Sequence, residues 1–112
     1  SLNNNKLQGE NAELQLQNET FVVESELRKT YNDLEWARRN LNLEEQNIQE
    51  SELTFKIAQN AFESGAITNL ELREVQFSIV QAQSRYLQAQ LTFKTAELNL
   101  ALTTGDFKKL VN

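Results

Sequence analysis

The sequence has no proline, cysteine, histidine or methionine, and only 3 glycines among its 112 residues. Without proline, and with so little glycine, the usual punctuation of loops and sheets is missing. Without cysteine there is neither a disulfide framework nor a thiolate metal site. Without histidine the commonest metal ligand and general base is gone as well. Those absences close off most catalytic constellations, and no cofactor is implied. Basic runs are lacking too, and the net charge is -5. Nucleic acid is therefore not an expected partner. The apolar runs are short, so no segment reads as a membrane-spanning helix. No signal peptide is visible. The chain starts at Ser1 with no methionine anywhere, so it reads as an excised or processed piece.

What remains is rich in Asn and Gln, with hydrophobic residues at 39%. Such polarity can mean disorder, but here the apolar positions are too regular. Leu27, Leu34, Leu41, Ile48, Phe55 and Phe62 recur every seventh residue. Thr30, Ala37, Glu44, Ser51 and Ala58 follow the first five at plus three. Farther on, Leu72, Ile79, Tyr86, Phe93 and Leu100 repeat the rule, each followed by Val75, Ala82, Ala89, Ala96 or Thr103. This is a heptad seam with a large residue at one position and a small one at the other. Small residues let two helix axes approach, and large knobs from the partner fill the space above them. Glu44 alone breaks the pattern badly. It reads as a local irregularity or, were the helices part of a tube, as a contact with the space inside it.

Between the two runs lies the one turn. Gly65 suits the left-handed position just past a helix end. Thr68-Asn69-Leu70-Glu71 is a capping box, in which the Thr68 hydroxyl accepts from the Glu71 N–H and the Glu71 carboxylate reaches back. Ile67 and Leu72 form the matching hydrophobic staple. Helix one is thus predicted over about 10–63, the tip over 64–68, and helix two over about 69–104. Gly105-Asp106 reads as the stop of helix two, leaving 105–112 as a tail or a short further turn. So short a connection makes the helices antiparallel neighbours. At the usual rise, helix one would be about 80 Å long and helix two about 50 Å. The fold class is all-α: a single long two-helix coiled-coil hairpin.

Helix two has further faces. Phe77, Val80, Leu87, Leu91 and Leu98 form a second apolar stripe, echoed on helix one by Val22, Trp36, Leu43 and Ile57. A third stripe is polar and runs through Glu71, Glu74, Ser78, Gln81, Arg85, Gln88, Thr92, Thr95 and Asn99. A lone hairpin needs one buried stripe per helix. Two suggest neighbours on both sides with water on the remaining face, as in a wall of helices curved into a tube. By itself the chain would leave the second stripe wet, so the isolated piece is expected to self-associate.

The stretch "FESGAITNLELREVQFSIVQAQSRYLQAQLTFKTAELNLALTTGD" resembles the TolC family of outer membrane efflux proteins. An aromatic residue, a tip glycine, a small-Thr stretch, an acidic-apolar helix start and Gln-Ala-rich heptads ending in Thr-Gly are how that family's second hairpin returns from its tip. The preceding "LRKTYNDLEWARRNLNLEEQNIQESELTFKIAQNAF" fits as well. The resemblance implies a homotrimer in the full-length parent, with a barrel in the outer membrane and a tube of helices in the periplasm. This chain would be part of that periplasmic α-helical barrel. It has no barrel strand of its own, for no period-two run flanked by turn residues occurs.

The same resemblance implies the sites. Ser64, Gly65, Ala66, Ile67 and Thr68 would dock a periplasmic adaptor protein, itself coupled to an inner-membrane transporter. Capping alone also accounts for Gly65 and Thr68, so the turn-only reading stands beside docking. Glu71 and Glu74 match in position the acidic residues that line the narrow inner end of the family's tunnel. Threefold symmetry would stack them as two carboxylate rings that favour cations and could trap one as a plug. Glu71 has a strong competing role at the helix start; for Glu74 that competing role is weaker. Phe62 stands where a hydrogen-bonding Tyr is familiar, and Ile67 where an Arg is.

Two other classes compete. A periplasmic adaptor's coiled-coil hairpin also has a heptad seam and a short tip. It normally carries an Arg-rich tip signature, missing here, and has helices of near-equal length. An enzyme on a helical bundle would need Glu-x-x-His pairs, which the lack of histidine excludes. Glu44-Glu45 and Glu71-Glu74 are the only tempting carboxylate pairs.

Overall fold

A computed structural model of the chain describes residues 2–111. Two α-helices pack against each other, antiparallel, in a hairpin: α1 (Leu2–Glu63) and α2 (Asn69–Val111). The chain divides into two compact units, Ser1–Leu34 with Ala96–Asn112, and Glu35–Thr95.

In the Glu35–Thr95 unit the core is a ladder of heptad positions. Ala37, Ile48 and Ala58 of α1 are buried, as are Leu72, Ala82 and Ala89 of α2. Ala37 and Ala82 are each only 1% exposed. Ala37, Ala82 and Ala89 are deepest, because a small residue lets the facing backbone close over it. Leu41, Phe55, Ile79, Tyr86 and Phe93 are half-buried beside them. In the other unit Leu34 and Ala96 are buried, and Thr20, Val23, Leu27 and Thr30 continue the stripe upstream. A groove lined by Leu27, Tyr31, Leu100 and Thr104 shows the segments of α1 and α2 side by side there.

Both outer helix boundaries differ from the sequence expectation. The first helix begins at Leu2, not near Glu10. Gly9 costs a helix interior only about 1 kcal/mol. The Leu, Ala, Glu, Gln and Lys residues around it are good helix formers, and no proline stops them. Extending a helix already formed needs no new nucleus. Every residue described before Thr20 is exposed, so this segment is held by propensity and not by packing. The second correction is at the other end. Gly105-Asp106 does not stop α2, and residues 105–111 are helical, not a tail. Phe107 and Leu110 lie one heptad beyond Leu100 and Thr103, and both are half-buried. Lys108 and Lys109 in the last turn suit the negative end of the helix dipole.

Among the described residues no helix is long and apolar enough to cross a membrane.

Candidate functional site

The tip is built by backbone hydrogen bonds. The Ser64 N–H donates to the Asn60 carbonyl at 3.1 Å, the last ordinary helical bond. Gly65 then takes a positive φ of 79°. Its N–H turns back to the Phe62 carbonyl at 3.0 Å, and the Ala66 N–H reaches the Ala61 carbonyl at 2.8 Å. That pair of bonds is a Schellman motif, which satisfies carbonyls that the end of α1 would otherwise leave open. The Ser64 hydroxyl adds a third link to the Ala61 carbonyl at 3.0 Å. Two residues later α2 begins. The Thr68 hydroxyl accepts from the Glu71 N–H at 3.1 Å, and the Thr68 carbonyl accepts the first helical bond, from Leu72, at 3.1 Å.

Half of the capping box is therefore made. The Glu71 carboxylate forms no return bond to the Thr68 N–H among the described residues, and its side chain stays exposed. Leu72 is buried and Ile67 half-buried, as a staple requires. Ser64, Gly65, Ala66 and Thr68 are all exposed. Phe62 and Ile67 have no polar side-chain atom, so main-chain bonds and the Ser64 and Thr68 hydroxyls hold the tip.

Glu71 and Glu74 lie one turn apart at the start of α2, both exposed. Below them the Ser78 hydroxyl donates back to the Glu74 carbonyl at 3.1 Å. The polar stripe continues through Gln81, Arg85, Gln88, Thr92 and Thr95, every one exposed. Among the described residues no three acidic side chains converge as a metal-binding group. A cation held at Glu71 and Glu74 would need carboxylates from further chains.

The second apolar stripe lies bare. Phe77 is 64% exposed, and Val80, Leu87 and Leu91 are similarly uncovered. On α1, Trp36 is 63% exposed, with Leu43 and Ile57 also open. In this unit α2 thus presents three faces: a buried seam, a dry-natured stripe in water, and a polar stripe.

Two cross-helix contacts escaped the sequence reading. The Arg85 Nε stands 3.4 Å from the Glu44 Oε2. Glu44 is thus a seam carboxylate with a partner on the facing helix, not a bare irregularity. On α1, Arg38 is held by Glu35 at 3.1 Å and lies over the Phe93 ring of α2 at 6.0 Å. One signal for the first pair was available. Arg85 is the only cation in its heptad column, Glu71, Ser78, Arg85, Thr92 and Asn99.

No curated protein and no solved structure gives a significant match to the chain. The family model described as outer membrane efflux protein matches residues 2–106, a span that takes in the tip, its flanking caps and nearly all of both helices. The chain belongs to the outer membrane efflux protein family.

Proposed function

We propose that this chain is a periplasmic tunnel segment of a trimeric outer-membrane channel for efflux or export. Family membership carries the coarser part: a component of an outer-membrane efflux channel, and a transporter rather than an enzyme. One observation supports the finer part, namely the three faces of α2. The exposed apolar stripe of Phe77, Val80, Leu87 and Leu91 suits burial against a neighbouring helix in a wall. The polar stripe beside it suits a water-filled lumen. Glu71 and Glu74 then lie at the tip end of that lumen, where threefold repetition would make two acidic rings that favour cations.

In the same reading Ser64 to Thr68 dock the hairpin tips of a periplasmic adaptor, which links the channel to an inner-membrane transporter. The tip's exposure and its backbone-held shape support this: a firm, small-residue surface on which another backbone can rest closely. The adaptor-hairpin alternative loses its ground with the family match.

Ala66 separates docking from mere turning. Its side chain is exposed, and it contributes to the turn only through its N–H. Ala66→Trp in the complete channel should leave hairpin stability unchanged and abolish efflux. Efflux at the wild-type rate would refute docking. For the rings, single-channel conductance in a bilayer is the measurement, with and without a trivalent cation at the periplasmic side. Glu74→Ala should weaken the block and lower cation preference. If the Glu71→Ala/Glu74→Ala double variant keeps both, these are ordinary helix-start acids.

A further inference from the structure

Glu44 is the one charged residue among the small-position seam residues of α1, where Thr30, Ala37, Ser51 and Ala58 hold the others. Its side chain is only 13% exposed, whereas Arg85, which reaches it from α2, is 53% exposed. A leucine or alanine at position 44 would pack in the seam without needing a partner. What the carboxylate adds is a condition on what faces it.

On the facing side, α2 offers two apolar stripes. Leu72, Ile79, Tyr86 and Phe93 form the one in use, and Phe77, Val80, Leu87 and Leu91 the exposed one. The exposed stripe is shorter and is interrupted by Arg73, Ser84 and Lys94, but it is apolar enough to compete for a partner helix. Opposite it at the level of Arg85, Glu44 would meet Leu87 and Leu91. That stripe has its own cation near this level, since Lys94 lies 3 positions beyond Leu91, about 4.5 Å along a helix, so the carboxylate discriminates register rather than face. A slip of one heptad places Glu44 against Ser78 or Thr92, and a slip of two against Glu71 or Asn99. Only Arg85 in that column carries a positive charge.

We propose that the Glu44–Arg85 pair selects the register in which the α1 and α2 seams join. A polar group in an apolar seam lowers stability but rejects alternative registers, since each of them leaves a half-buried charge without a partner. The short tip opposes slippage inside one chain. It does nothing against a seam that pairs with a second chain, and there the charge condition is the discriminating element. This inference concerns the hairpin itself and does not depend on the tunnel reading.

The chain has no cysteine, so two can be introduced for spin labels without interference. Glu52→Cys and Gln76→Cys are exposed sites on the two helices. Diluted into unlabelled chain, the doubly labelled chain should give a single intramolecular distance and a single oligomeric species. In that background Glu44→Leu should raise the thermal midpoint yet add a second distance population or new oligomers. A one-heptad slip displaces the labels by about 10 Å along the axis. Glu44→Gln, nearly isosteric, should add the same second population. Arg85→Gln should lower the midpoint and add the second population, and the exchange Glu44→Arg/Arg85→Glu should recover the single distance. If Glu44→Leu and Glu44→Gln both keep one distance and one oligomeric state, the pair only solvates a stray carboxylate and the proposal is wrong. Failure of the exchanged pair to recover what Arg85→Gln loses would also overturn it.

Discussion

Gly65 and Gly105 each follow a long run of helix, and each is followed by a residue with a short polar or small side chain. At Gly65 the helix ends; through Gly105 it continues. The difference lies in what comes next. After Gly65 the chain meets Thr68, whose hydroxyl caps a new helix at Glu71. The positive φ of Gly65 lets two N–H groups fold back on the Ala61 and Phe62 carbonyls. After Gly105 the cap-type residue Asp106 stays inside the continuing helix and starts no new one. Instead Phe107 and Leu110 fall in register with the seam. A glycine in a helix interior costs about 1 kcal/mol, and a half-buried phenylalanine and leucine offset more than that. Glycine permits a stop; the residues after it decide whether the stop is used.

The strongest way to break this comparison is Gly105→Pro. Proline would remove the hydrogen bond from position 105 and clash with the Ala101 carbonyl, at a cost of about 3 kcal/mol. The last turn should come loose, with Phe107 and Leu110 exposed and the thermal midpoint lower by about 10 °C. Amide exchange at residues 107–111 should become fast while exchange around Ala82 stays slow. An unchanged melting curve would show that the turns after Gly105 contribute nothing.

Gly65→Ala comes next. Nothing lies within 4 Å of where its Cβ would go, so space is not the obstacle. The obstacle is φ, because an L-residue in the left-handed region costs about 1–2 kcal/mol. The melting midpoint should fall by several degrees with no loss of helix content. A midpoint equal to wild type would mean that the tip relaxes to a turn needing no positive φ.

These residues also show how far the sequence could be read. Among the described residues all eight buried hydrophobics, from Leu34 to Ala96, occupy heptad positions visible in the sequence. A period of seven is a local signal, and a seam must use it. The tip was legible for the same reason, since both caps are written within five residues of Gly65. The ends of the helices were not. At Gly105 a stop signal had to be weighed against burial by a helix far away in sequence, and at the start of α1 no buried residue marks the boundary. Arg85 is 41 residues from Glu44, and no local rule pairs them. The acidic positions Glu71 and Glu74 were readable as exposed helix-start residues, but a ring is a property of several chains.

A smaller effect is expected at Thr68. Replacing a capping Thr by Ala costs about 1 kcal/mol, because the Glu71 N–H loses its acceptor. Thr68→Ser should retain most of the stability, since it keeps the oxygen. Thermal melts of the two variants make the comparison. If Thr68→Ser is as unstable as Thr68→Ala, the methyl group and not the cap is what the position needs.

The smallest effect, and the sharpest test of the comparison, is Gly105→Ala. No heavy atom lies within 4 Å of the added methyl, and φ at this residue is not positive. Alanine should therefore be accepted in the helix as it stands and stabilise it by about 0.5–1 kcal/mol. The same change of residue would thus have opposite signs at positions 65 and 105: a midpoint lower by several degrees at the first and higher by a few at the second. Helical circular dichroism should be unchanged or slightly larger in the second case. Position 105 is part of the continuous helix only if its alanine variant is the more stable one. Were Gly105→Ala to lower the midpoint as Gly65→Ala does, Gly105 would be acting as a terminator, α2 would end near Thr104, and Phe107 and Leu110 would not belong to the seam.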